Sequence, residues 1–392
     1  MLKLGDKNIS KLYLGDKAIS KAYLGDKLVY QAGNPIFLDY IITDGNSYID
    51  TEYCPNENTY IEYDFEVITR VTVSYAGLFG CRENSNAYPY NVFAQSNQFR
   101  LDFGMYSEGA NYKYEVDTRY LMKAGLGEIY INGELVKSYT PRIKQVQYSM
   151  YLGNFNADGV PYTTGVAQNI YGFKVYENNV QLHDFKPCIA PNGQVAMYDE
   201  VNKKYHYNQG TGELKAGGRF VTSILFDGAC VIDTGIAHQT CDVECDIRFA
   251  ETGTRQLMGF GSGTGQFWGA GATGIFDYMA NTNALDRTLV TINANATDIT
   301  ITTNADGATR TGSKGSTLSS LKYRIGACPT GSSSNGYWCT CEIWSNKIIG
   351  EDGTVIQDLK PYVDENGVAC FKDLVTGGLF YNSGTGTLGY TE

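Results

Sequence analysis

Residues 184–214, DFKPCIAPNGQVAMYDEVNKKYHYNQGTGEL, return as residues 358–388, DLKPYVDENGVACFKDLVTGGLFYNSGTGTL. Asp, Lys-Pro, Asn-Gly, Tyr-Asn and Gly-Thr-Gly all keep one offset of 174 residues, so the chain contains a duplication. In each copy an Asn-Gly pair (Asn192-Gly193, Asn366-Gly367) suited to a type I′ turn joins two short apolar and aromatic runs, which predicts a terminal β-hairpin. The Gly-Thr-Gly that follows is expected to lend backbone freedom to a closing turn before a last strand.

The openings match as well. Asp44-Gly45 and Ile49-Asp50-Thr51 correspond to Asp227-Gly228 and Ile232-Asp233-Thr234 at an offset of 183. The fall from 183 to 174 makes the second middle nine residues shorter, and the two middles share little sequence. The expected division is residues 1–34, 35–217 and 218–392. At 392 residues the chain suits two cores better than one.

Ile61, Tyr63, Phe65 and Val67 alternate with Glu62, Asp64 and Glu66, the pattern of a half-buried strand. Residues 128–138 read as strand, Asn132-Gly133 turn and strand, and residues 298–310 place Asp306-Gly307 at a similar turn. With 31 Tyr, 17 Phe and 45 Gly and no run of helical periodicity, the composition predicts an all-β protein.

A shorter repeat of period ten opens the chain: LKLGDKNISK, LYLGDKAISK, AYLGDKLVYQ. Each unit pairs a Gly-Asp-Lys turn with too few apolar positions to bury a core alone. With six Lys and three Asp the segment is +3, against −14 for the remainder of a chain whose total is −11. It reads either as a hairpin array folded onto the first domain or as a docking or oligomerisation stalk.

Several functions lose their footing here. A charge of −11 disfavours nucleic acid as a partner, since phosphate backbones are held by clustered Lys and Arg. No 18-residue apolar run and no uninterrupted signal-type segment occurs, so neither membrane span nor export is expected. The ten cysteines lack regular spacing and read as reduced, small core residues. None of His183, His206 and His238 sits in a zinc-type spacing, and Asp44, Asp50, Asp227 and Asp233 read as turn formers, not calcium ligands. No metal or cofactor is expected, and no G-x-S-x-G, Walker or dinucleotide motif is present.

The order of pieces, from the Asp-Gly…Ile-Asp-Thr opening through a central hairpin and a Lys174–Tyr176 or Glu342–Trp344 strand to the closing signature, resembles concanavalin A-like/laminin G-like jelly rolls. The closing signature together with the LGDK repeat resembles virion proteins of gut bacteriophages and their prophages. These resemblances imply two tandem antiparallel β-sandwich domains after a short β-repeat segment. They also imply a fibre, tail or head-decorating protein that adheres to host-surface or mucosal glycans. Its expected partners are other virion proteins, bound through the first residues, and further copies of itself, a trimer among the options. It would be made in the host bacterial cytoplasm and reside in the virion.

A lectin-like site needs aromatic rings for sugar faces and amides or carboxylates for hydroxyls. Two diverged stretches offer both, which nominates Tyr88, Tyr90 and Asn91 in residues 82–98, and Trp268, Asp277 and Tyr278 in residues 266–283. Two rivals stand beside adhesion. One is a purely structural decoration protein. The other is a polysaccharide depolymerase, because Glu62-Tyr63-Asp64-Phe65-Glu66 resembles the E-x-D-x-E motif of a glycoside hydrolase family and could place Glu62 and Glu66 about the scissile bond. The matching Glu244-Cys245-Asp246-Ile247-Arg248 ends in a cation, so no catalysis is expected.

Overall fold

The run Thr59–Val67 is the axis of the first unit. Its residues alternate strictly, with Ile61, Tyr63, Phe65 and Val67 buried and Glu62, Asp64 and Glu66 half-buried. It pairs antiparallel with Arg119–Gly125 on one side and Ala167–Glu177 on the other. The computed structural model describes residues 34–72, 75–83, 87–95, 97–105, 110–140, 146–237, 241–249, 322–328 and 340–392, and the backbone of short strands elsewhere.

By contacts the chain divides into two units, Met1–Gly217 and Gly218–Glu392. Each is an antiparallel sandwich, and no helix occurs among the described residues. In the first unit the larger sheet contributes Tyr63, Phe65 and Phe173 to the core, and the smaller contributes Phe79, Tyr90, Phe99 and Phe103. Tyr63 and Phe79 meet across the layers with ring centroids 4.8 Å apart. One polar chain crosses this core: Tyr63 Oη donates to Gln168 Oε1 at 2.7 Å, and Gln168 Nε2 donates to the Leu78 carbonyl at 2.9 Å. Leaving any of those groups unpaired there would cost about 1–3 kcal/mol. In the second unit Phe226, Ile247, Ile343 and Phe371 face Ile232, Tyr323 and Ile325 in the same manner.

The duplicated signature turns out to be a clasp between the two ends of each sandwich. Asp44 accepts from the amides of Asn46 and Ser47 through Oδ1 and from that of Glu213 through Oδ2. Asp227 accepts from Ala229 through Oδ1 and from Thr387 through Oδ2. Asn208 accepts from the Tyr48 amide while its Nδ2 donates to the Gly212 carbonyl, and Asn382 does the same with Val231 and Gly386. The clasp corrects the reason for Gly-Thr-Gly. These glycines serve close approach, not backbone freedom: a Cβ on Gly210 would lie 2.0 Å from the Asn46 carbonyl oxygen, and one on Gly212 would lie 2.2 Å from Asp44 Oδ1.

The turns also differ from expectation in one place. Asn132 (φ 51°) and Gly133 (φ 85°) form the type I′ pair, as expected. In the Asn-Gly pairs of the signature, however, only the glycines, Gly193 and Gly367, have positive φ. Gly193 N donates to the Ala190 carbonyl at 2.8 Å, and Ala190 N to that of Gln194 at 2.8 Å. This is a tight turn followed by a left-handed glycine, and Pro191 pre-sets its first central φ. Asp306 and Gly307 lie outside the described residues.

The period-ten repeat forms three separate antiparallel pairs: Lys3–Leu4 with Lys7–Asn8, Leu12–Leu14 with Lys17–Ile19, and Lys21–Leu24 with Lys27–Gln31.

Candidate functional site

The closing segment of the first unit is a meander, Val180–Ile189, Val195–Asp199 and Lys204–Tyr207, with Ile36–Phe37 added at its edge. Strand alternation sends Phe185, Met197 and His206 to the core and the intervening residues to the outer face. Register then lines up Phe37, Cys188, Ala196 and Tyr207 in one row and Lys186, Tyr198 and Tyr205 in the next. Cys188 and Ala196 are small and fully buried, so they form a floor on which the rings of Tyr198, Tyr205 and Tyr207 lie.

The result is an aromatic platform. Tyr198 sits 4.8 Å from Tyr205 and 6.2 Å from Phe37, and Tyr205 sits 6.3 Å from Tyr207 in a stacked arrangement. Phe37 is 43% exposed, which is costly for an apolar ring without a ligand. Hydrogen-bonding groups rim the rings. Asn192 and Gln194 stand in the turn beyond Tyr207, with Asn192 Nδ2 donating to Gln194 Oε1 at 2.7 Å. Lys186 pairs with Glu200 and lies 5.9 Å from the Phe37 centroid, and the Lys203 ammonium lies 6.0 Å from that of Tyr198. Burial raises the pKa of Tyr198, Tyr205 and Tyr207, and it pushes the Cys188 thiol up to about 12. The phenols therefore remain neutral hydroxyls near neutral pH, able both to donate and to accept. Such a surface stacks and hydrogen-bonds an amphipathic plate, and it offers no activated nucleophile.

The nominated residues fare differently. Tyr90 is fully buried, packs edge-on to Phe103 at 4.7 Å and donates its hydroxyl to the Ala124 carbonyl, so it is a core residue and not a stacking surface. The reason is register, since Tyr90 shares the inward face with Val92 and Ala94. Asn91 points to the opposite face beside Asp102, fully buried, with neither side-chain nitrogen nor oxygen hydrogen-bonded. The side chains of Tyr88 and Trp268, and all of Asp277 and Tyr278, lie outside the described residues.

The acidic strand is fully engaged. Glu62 pairs with Lys123 at 2.9 Å, Asp64 receives two bonds of 2.8 Å from Arg119, and Glu66 accepts from Tyr171 Oη at 2.6 Å. All three lie on the outer face of the larger sheet, as alternation requires. Among the described residues Cys81, Cys188, Cys230, Cys245, Cys341 and Cys370 are buried thiols and Cys54 is a half-buried one, none of the seven in a disulfide.

The platform residues were missed because they belong to the repeated closing signature, which reads as scaffold. Parity was the available signal: Tyr198, Tyr205 and Tyr207 share one face if Met197 and His206 take the other.

No protein-family model matches the chain, and no curated protein matches it. Among solved structures it is similar to domains LG4-5 of the mouse laminin alpha1 chain, at 10% identity over 83% of this chain and 92% of that one, TM-score 0.29. It is similar to the LG1-3 region of the laminin alpha2 chain, at 11% identity over 88% and 70%, TM-score 0.27. A third is the binding domain of botulinum neurotoxin DC in complex with SialylT, at 10% identity over 98% and 94%, TM-score 0.26. Likenesses this distant carry no argument about ligands.

Proposed function

We propose that the chain is a bacteriophage virion protein whose sandwiches adhere to host-surface or mucosal glycans without catalysis. The observation that carries adhesion is the platform itself: half-exposed rings in register, rimmed by amide, hydroxyl and charge, fit the apolar face and polar edge of a pyranose. The virion setting rests on the LGDK repeat and the closing signature. In that setting the three short hairpins, each too small to stand alone, pair with other virion proteins or with further copies of the chain.

Glycan-array binding by the full chain tests adhesion. Binding to host-derived glycans that falls at least tenfold in Phe37→Ala, with the fold intact by circular dichroism, is expected. Silence on every glycan combined with tight binding to capsid or tail subunits would leave decoration as the better account. Labelled antibody on imaged virions tests the setting, and absence of label from every particle would remove it.

A further inference from the structure

The second unit presents a platform in the same place with different chemistry. Phe220 stands 183 residues after Phe37, while Tyr362, Lys372 and Tyr381 stand 174 residues after Cys188, Tyr198 and Tyr207. Phe220 pairs in register with Tyr362, and Tyr362 with Cys370, which is fully buried beneath. Phe220 is 45% exposed and packs edge-on against Tyr362 with centroids 5.1 Å apart. Tyr381 is 43% exposed and donates its hydroxyl to Asp364 Oδ2 at 3.0 Å. Where the first platform has Tyr198, this one has an ammonium: Lys372 Nζ lies 5.0 Å from the Tyr362 centroid and 6.0 Å from that of Phe220.

We propose that Phe220, Tyr362, Lys372 and Tyr381 form a second sugar-binding site, and that it takes a pyranose bearing a carboxylate. This rests on reading the first platform as sugar-binding. The exposed Phe220 ring supplies the stacking face, and Lys372 supplies a cation held at the rim of that face, where a ring carboxylate falls. A chain with two such sites binds a polymer or a glycan-coated surface by avidity.

The test is titration calorimetry of the full chain with glucuronate- and sialate-containing oligosaccharides, each beside its carboxyl-reduced counterpart. Phe37→Ala is expected to keep one acidic-sugar site, and Phe37→Ala with Phe220→Ala to lose it. In the Phe37→Ala background Lys372→Tyr is expected to weaken the acidic sugars about fivefold, the worth of roughly 1 kcal/mol, and to leave the reduced ones unchanged. Complete loss of binding in Phe37→Ala alone overturns the second site while the first stands. Equal weakening of acidic and reduced sugars by Lys372→Tyr overturns the carboxylate preference. A wild-type chain that binds none of these sugars overturns both sites.

Discussion

Beneath the first platform, on its inward face, His206 and Asp199 answer acid in different ranges. Burial lowers the pKa of His206, whose Nδ1 bonds the Asp50 carbonyl at 2.8 Å while its buried Nε2 has no partner. The unfolded chain therefore takes up a proton that the folded one refuses, and stability falls as pH drops through the ordinary histidine value near 6.5. Asp199 behaves otherwise. Burial pushes its carboxyl up, but bonds from His183 Nδ1 (2.7 Å), Asn202 Nδ2 (2.7 Å) and the Asp184 amide (3.1 Å) outweigh that and hold it well below the carboxylate range. Its contribution is present above the unfolded value near 4 and lost below it. The second unit carries Phe380 at the position of His206. His206→Phe should accordingly flatten the fall in melting temperature between pH 7 and 5 and leave the fall below pH 4 in place; unchanged slopes in thermal melts across that range would rule the assignment out. Asp199→Asn is expected to cost about 2–3 kcal/mol and to lower the melting temperature at pH 7 by about 5–10 °C.

Among elements, the clasp is the most constrained. Gly212→Ala would drive a methyl into the Asp44 carboxylate, and Gly386→Ala would drive one to 2.1 Å from Asp227 Oδ1. Each is expected to destabilise its own sandwich by about 1–3 kcal/mol, seen as a lower denaturant midpoint at unchanged slope. A paired Asp44→Ala should recover part of the Gly212→Ala loss, and strict additivity of the two would count against the clasp. The strand Thr59–Val67 was legible in the sequence because period-two burial writes itself directly into residue order. The signature was legible as a repeat but not as a clasp, since Asp44 and Glu213, which meet only in the folded domain, stand 169 positions apart in the chain. Tyr90 was misplaced for a related reason: in the run Tyr88–Pro89–Tyr90–Asn91 nothing local tells which parity faces inward. That choice is made by Phe103 and Ala124, far along the chain.

At the scale of the molecule, the two units have separate cores and separate clasps. If the first residues join copies of the chain, as proposed, their removal is expected to reduce the assembly to monomers while both cores, drawn among the described residues from Leu38 onward, stay folded. Mass measured by light scattering before and after removal checks this, and an unchanged oligomer would assign association to the sandwiches instead. In each sandwich the last strand pairs with an opening strand: Leu214–Ala216 with Ile41–Asp44, and Gly389–Thr391 with Ser223–Asp227. Entry and exit are thus neighbours, as in a cassette with both leads on one side. A body wired in this way can be copied head-to-tail or spliced into a host chain without a bridging linker, and it can be cut open elsewhere. A version of residues 36–217 with its old termini joined and new ones opened at the exposed Asn132-Gly133 turn should refold with the Phe37 surface intact.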